Sequence, residues 1–534
     1  MIVLVACTHA KVDNLKTVTE NYITSSLFAL QGRLCGLLSL TLFTTAPCAN
    51  AAAPGPGLSV VVKPLVTNGK VEALEVRQIL TKDLPAGDTP LRFRAPLGLF
   101  GVPTIADKIT GLSVLDANGP VPLTIENKPG MVGPATGFRY WQAARKTVAP
   151  VTVSYRIPTQ PATEGGGPPY GMKASGQGVS GSGLGFLLLP ANTTSTATRF
   201  NWDLSELPPG SIGAITAGAG AMLLAGGPSE LDSQWMLAGP VQVHAPARSP
   251  GLEVYFLGQQ PFDRADMLDF ASRSYATLAR TLKYLGTPEY RLFIRSLDVP
   301  SYATGTGRTA GGGALLSTGT TLGEQSLDKF KNTVFHEMAH QWVGDLSGAG
   351  SWFVEGLTTY LSATLPCQEG LADAAFCASG VNAYGVQYYR SAGRNWSLER
   401  IEGVGIGSES IRRVPYSRGM LYFGLLNSQL LAKSQGRRDL LDVLEPMFIA
   451  RTKGARLDEA AWEVMLLREL GQPAVDEFRA SVIEGSKTIV PPPDAFGPCL
   501  TRVAVTLTVD GSSDKVEGHE WRPVAGCTLP PRRT

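Results

Sequence analysis

Charge of one sign is missing from this sequence: 47 lysines and arginines stand against 45 aspartates and glutamates over 534 residues, a formal charge of +2. With no basic run interleaved with aromatics, that balance excludes an electrostatic surface for nucleic acid. Long apolar runs are also missing. The apolar stretch at 34–43 holds about ten residues against the roughly twenty that cross a bilayer, so no stable membrane span is expected. No internal repeat is visible, and no two of the seven cysteines stand in CxxC spacing, which excludes a zinc ribbon and a dithiol redox motif. Histidine is scarce. With only five in the chain, two that fall close together carry information.

What is present fits a globular chain of several domains: 43% hydrophobic and 17% charged residues are enough to build real cores. Its first fifty or so residues stand apart. Arg33 precedes the apolar stretch at 34–43, and Ala49, Asn50 and Ala51 then form a small-x-small cleavage signature, the pattern of a secretory signal peptide cut near Ala51. The polar stretch before Arg33 is longer than a normal leader start and reads as an upstream extension, so 1–52 is set aside from the fold. The expected destination is periplasmic or secreted. Cysteine usage agrees: once Cys7, Cys35 and Cys48 leave with the leader, four remain as two local pairs, Cys367 with Cys377 and Cys499 with Cys527, which predicts two disulfides in an oxidising space.

The texture of the mature chain predicts an α+β multidomain protein. Short β-branched runs separated by Gly and Pro, such as "LSVVVKPLV" and "VTVSYRIPT", predict an antiparallel β domain over 53–256, with a long flexible glycine-rich loop at 164–185. Helical periodicity begins near Asp263, and "YRLFIRSLDV" follows as a strand. Two mainly helical segments come next, 257–435 and 436–490. A Pro-rich tail at 491–534 carries the last cysteine pair.

The chemistry is in "FHEMAHQWVGD", residues 335–345. Leu327, Phe330, Val334, Met338 and Trp342 recur every three or four positions and predict a helix over 326–343 with one buried stripe. At about 100° per residue, His336 lies roughly 200° from that stripe and His340 shares its face, so both imidazoles point together into a cleft. Histidines at i and i+4 can hold one zinc ion, with Glu337 beside them placed to take a proton from a water that the ion acidifies. Random composition with five histidines in 534 residues gives this pattern on the order of twice in a thousand chains. A catalytic zinc site wants a third protein ligand and an open position. Glu355, set among Trp352, Phe353, Val354 and Leu357 shortly after His340, is the candidate.

"HEMAHQWVGD" followed by "WFVEGLTTYL" resembles the gluzincin metallopeptidases of the aminopeptidase N and leukotriene hydrolase type, with some likeness to glycyl aminopeptidases near the end of the helical region. The resemblance implies a thermolysin-like zinc peptidase domain over 257–435. It also implies one zinc ion held by His336, His340 and Glu355, Glu337 as general base, and a peptide or protein substrate. "PYSRG" at 415–419 is similar to the family's Y-x-K-G segment, which gives Tyr416 the role of hydrogen-bonding the oxyanion of the tetrahedral intermediate. Aligned with the family's G-A-M-E-N strand, Gly313, Ala314, Leu315 and Leu316 are the expected substrate-binding stretch. There an apolar side chain replaces the glutamate that anchors a free amino terminus, and Glu324 is the nearest acid in sequence. The spacer from His340 to Glu355 is shorter than is typical of the family.

Several readings of function stand at this point. One is an exported zinc peptidase with no strict need for a free amino terminus. Others are a strict aminopeptidase with a different amine anchor, a catalytically weak relative that binds a peptide in the same cleft, and zinc hydrolysis of something other than a peptide.

Overall fold

The computed structural model describes residues 55–99, 102–103, 105–132, 135–162, 169–300, 303–307, 312–322, 326–344, 346, 350–405 and 408–527. The expected leader with its cleavage site near Ala51, and Glu324, lie outside the described residues.

Buried and half-exposed residues alternate along Leu58–Thr67 and Lys70–Leu80, as they do on strands with one face on a core. These two strands pair antiparallel near the middle of a seven-stranded sheet. A five-stranded and a six-stranded sheet accompany it, and Val60, Val76, Phe93, Val153, Phe186 and Met236 share one core among them. One pairing departs from the expected antiparallel pattern. Leu58–Thr67 runs parallel to Ala197–Trp202, two strands joined, as parallel neighbours must be, by a long connection.

The expected flexible loop at 164–185 is described from residue 169 on, with 164–168 outside the described residues, and the described part is not one loop. It contains the strands Lys173–Ser175 and Gly178–Ser182, and the second of these pairs with Trp235–Gly239. Its glycines answer a packing need: a Cβ on Gly183 would stand 1.9 Å from the Leu231 carbonyl oxygen, and one on Gly181 would stand 2.6 Å from Met172 Sδ.

A second five-stranded sheet begins before residue 257. Gln242–His244 pairs antiparallel with Leu252–Leu257, which runs parallel to Tyr290–Ser296; this strand runs parallel to Gly313–Thr318, and Ala303–Gly307 closes the edge antiparallel. Leu252–Leu257 is apolar almost throughout because both faces of the sheet are covered. Val254, Phe256, Leu292, Ile294 and Leu316 face the helices. On the opposite face Tyr255, Phe293 and Leu315 meet Trp235 and Leu237 of the preceding sheet.

The helical region shares the first of those cores down to Phe478 and Phe496. Prolines of the tail are followed by an antiparallel hairpin, Leu500–Thr508 with Lys515–Pro523. It docks on the helix Ala374–Arg390, where the Asn382 side chain donates to the Trp521 carbonyl at 2.8 Å and accepts from the Trp521 N–H at 2.7 Å. Both expected disulfides form, Cys367–Cys377 and Cys499–Cys527. Among the described residues no helix is long and apolar enough to cross a membrane.

Non-reducing peptide mapping of the protein should recover those two pairings and no crossed one. Replacing either pair by serine should cost about 2 to 4 kcal/mol through the loop each bridge closes, read as a fall in thermal midpoint.

Candidate active site

Ser326 starts the histidine helix, Leu327–Ala339, by accepting the Lys329 N–H on Oγ at 3.2 Å. Phe330, Val334 and Met338 then bury one face of it against the sheet. The helix is capped at His340, short of residue 343. Past the cap, Gln341 Oε1 accepts the Gly312 N–H at 3.0 Å and so ties the turn to the strand that follows. Inside the fold the Tyr290 hydroxyl donates to the Glu337 carbonyl at 2.9 Å, which joins the helix to the sheet.

His336 and His340 are buried, with ring centroids 4.8 Å apart and planes nearly perpendicular. Glu355 comes from the next helix, Ser351–Gln368. Its Oε2 stands 3.3 Å from His336 Nε2 and 3.4 Å from His340 Nε2, while Glu337 Oε2 stands 4.0 Å from His340 Nε2. One ligand atom from each of His336, His340 and Glu355 lies within 4.8 Å of the others. Burial pushes the Glu355 carboxyl up, but the two imidazoles beside it outweigh that and hold the group well below the usual carboxylate range. Glu355 Oε2 is buried with no directed hydrogen bond, and a set of two imidazoles and one carboxylate is a donor set that zinc accepts.

Tyr416 enters from a third helix, Val414–Ser434, which has Pro415 in its first turn. Its ring lies offset and nearly parallel to His336, 6.2 Å between centroids and 15° between planes. Burial first, and then the negative charge of Glu355, push the phenol well above its ordinary value, so at neutral pH it is a hydrogen-bond donor. Arg418, fully buried on the same helix, donates to the carbonyls of Arg394 at 2.8 Å, Trp396 at 2.7 Å and Val482 at 3.0 Å and fixes where the helix starts.

Two glycines bring Glu355 and Tyr416 together. A Cβ on Gly356 would stand 2.5 Å from Gly419 Cα, and one on Gly419 would stand 2.2 Å from the Trp352 carbonyl oxygen. The two helices therefore touch backbone to backbone beside the site.

The stretch expected to bind substrate is buried. Gly313, Ala314, Leu315 and Leu316 sit on an interior strand between Tyr290–Ser296 and Ala303–Gly307. Ala314 and Leu316 are buried in the core under the helices and Leu315 in the core on the opposite face. The strand's backbone is used by its two neighbours, and the sheet's outer strand is Ala303–Gly307.

Two residues near the cluster had no signal of their own in the sequence. Thr358 places Oγ1 3.4 Å from His336 Nε2, and a search one helical turn beyond Glu355 would have found it. Tyr384, on the helix Ala374–Arg390, lies against Tyr416; nothing in its neighbours singles it out.

Gly419→Ala tests the close approach. The new Cβ has only backbone to meet, so the variant should lose about 1 to 3 kcal/mol of stability, the ordinary cost of overpacking. Denaturation should show that loss together with reduced metal retention.

No family model matches the chain, and none of the curated proteins does. Among solved structures it is similar to an aminopeptidase N family protein of Idiomarina loihiensis, at 14% identity and a TM-score of 0.64 over 85% of this chain and 80% of that one. An M1 zinc metallopeptidase of Deinococcus radiodurans matches at 14% identity and a TM-score of 0.44, over 81% of this chain and 95% of that one. The leukotriene A4 hydrolase of Saccharomyces cerevisiae matches at 13% and 0.46, over 82% and 68%. Those last two TM-scores are too low to bear an argument. The first likeness is one of fold: a multi-sheet β region followed by a helical region, as in the aminopeptidase N family protein that it resembles.

Proposed function

We propose that the chain is an exported zinc-dependent peptidase in which His336, His340 and Glu355 hold one zinc ion, Glu337 is the general base and Tyr416 stabilises the oxyanion. The observation that carries this reading is the convergence of two buried imidazoles and a half-buried carboxylate from two helices, with a second carboxylate and a neutral phenol beside them. Zinc bound there would acidify a water and polarise the scissile carbonyl. Glu337, held by its helix at the edge of the cluster, takes the water's proton and passes it to the leaving amine. Tyr416 donates to the oxygen that becomes negative as the carbonyl turns tetrahedral, a contact stronger in the transition state than in the ground state. The fold shared with an aminopeptidase N family protein supports a peptide substrate. Two disulfides and the leader-like start support export to the periplasm or beyond.

For the test, elemental analysis of protein reconstituted with zinc should give one ion per chain, and His336→Ala with His340→Ala should abolish it. Glu337→Gln should keep the ion and lose nearly all turnover. Tyr416→Phe should lose roughly 10²- to 10³-fold in kcat. A Glu337→Gln protein with normal activity would refute the assignment.

The same reading dispenses with a strict requirement for a free amino terminus. Among the described residues the carboxylates within 4.0 Å of the imidazoles are Glu337 and Glu355, and each has a role in the chemistry. Leu316 is committed to the core. A desolvated ammonium without a partner costs about 2 to 5 kcal/mol, so a peptide and its N-acetylated twin should be cleaved with similar kcat/KM. A preference above about a hundredfold for the free amine, some 2.7 kcal/mol, would instead establish a strict aminopeptidase with another anchor.

A further inference from the structure

Tyr416 has a second aromatic neighbour. Its ring lies nearly parallel to His336, with 6.2 Å between centroids and 15° between planes, and nearly parallel to Tyr384, with 6.4 Å and 4°. His336, Tyr416 and Tyr384 thus form one ladder of rings in which Tyr416 is common to both pairs, at separations where aromatic pairs attract. The outer rung is firmly mounted. Its helix, Ala374–Arg390, is bridged to the Glu355 helix through Cys377 and Cys367. Two residues before Tyr384, Asn382 makes its paired hydrogen bonds to the Trp521 backbone. Directly after Tyr384 comes Gly385, where a Cβ would stand 3.2 Å from the Trp521 ring, so the tail hairpin seats closely at this point.

A phenol that must meet a developing oxyanion gains from being held in place beforehand, because a displacement of about 1 Å can cost on the order of a hundredfold in rate. We propose that Tyr384 is a positioning residue for Tyr416: its ring packs parallel to the Tyr416 ring and, together with His336, fixes the direction of the Tyr416 hydroxyl. Tyr384 acts through its ring and not through its own hydroxyl. The kinetic consequence rests on the peptidase reading, whereas the ring contact does not.

The experiment therefore has two arms. Protein labelled with 3-fluorotyrosine gives a Tyr416 signal that is identified by its loss in Tyr416→Phe. Tyr384→Leu should shift and broaden that signal, and Tyr384→Phe should leave it nearly in place. In the kinetic arm Tyr384→Leu should lower kcat roughly twofold to tenfold, the worth of one aromatic pair, with KM unchanged, while Tyr384→Phe restores it. Tyr384→Leu added to Tyr416→Phe should cost nothing further, since a residue that acts through another is not additive with it. An unmoved fluorine signal in folded Tyr384→Leu, additive losses in the double variant, or a large fall in kcat for Tyr384→Phe would each overturn the proposal. Wild-type protein that holds zinc but cleaves no peptide would overturn the peptidase reading and leave the fluorine arm to decide the ladder.

Discussion

The contact on which the site depends is between two backbones. Gly356 and Gly419 let the helices Ser351–Gln368 and Val414–Ser434 meet where any Cβ would collide with main chain. Packed helices ordinarily stand 8 to 10 Å apart, a distance set by the side chains between them; here glycine removes those side chains at the one crossing that matters. Glu355 immediately precedes the first glycine, and Tyr416 lies one turn before the second, so closing the crossing carries a carboxylate and a phenol to the same histidine pair. A chain that built the same two helices with alanine at the crossing would keep the residues and lose the site.

A close crossing fixes distance but not rotation, and other groups supply the rotation. The helix that carries Glu355 is buried almost all round, and Trp352 meets Phe423, Trp462 and Phe478 at ring centroid distances of 5.9, 5.7 and 5.0 Å. Such a wedge of rings leaves Glu355 the one polar direction that faces the imidazoles. Arg418 does the equivalent for the partner helix by satisfying three carbonyls from two other segments at once. A buried guanidinium is costly unless its donors are met, which makes this arrangement specific to one placement of the helix start.

How much of this was legible in the sequence follows from the physics of each element. His336, Glu337 and His340 were readable because a helix turns the spacing of residues into a common face, and the apolar stripe identified the helix independently. Glu355 was readable because a carboxylate amid Trp352, Phe353 and Leu357 needs a reason to be there. The disulfides were readable because the remaining cysteines fall into two close pairs. Tyr416 came only through resemblance, since a tyrosine on an apolar helix looks like any core aromatic. The run 313–316 does not disclose its place in the sheet, because a short apolar strand reads the same at the rim and one position inside it. The strands within 173–182 do not disclose themselves either, because glycine used for close packing has the composition of glycine used for flexibility.

Tyr384 was hidden for a different reason: its position is set by contacts that span the chain. The hairpin at the C-terminal end docks on the helix Ala374–Arg390, that helix presents Tyr384 to Tyr416, and Tyr416 lies on His336. Each step is an ordinary contact, and none leaves a local pattern. Both disulfides serve this route: Cys367–Cys377 joins the supporting helix to the helix of Glu355, and Cys499–Cys527 closes the hairpin that seats against it. The hairpin is a short two-stranded element, marginal in isolation, and it is held here by the second disulfide and by burial of Leu500 and Trp521. The core beneath the histidine helix continues without a break under Cys367, Cys377, Tyr388 and Trp521. The cross-links therefore reinforce hydrophobic burial along this route and do not replace it.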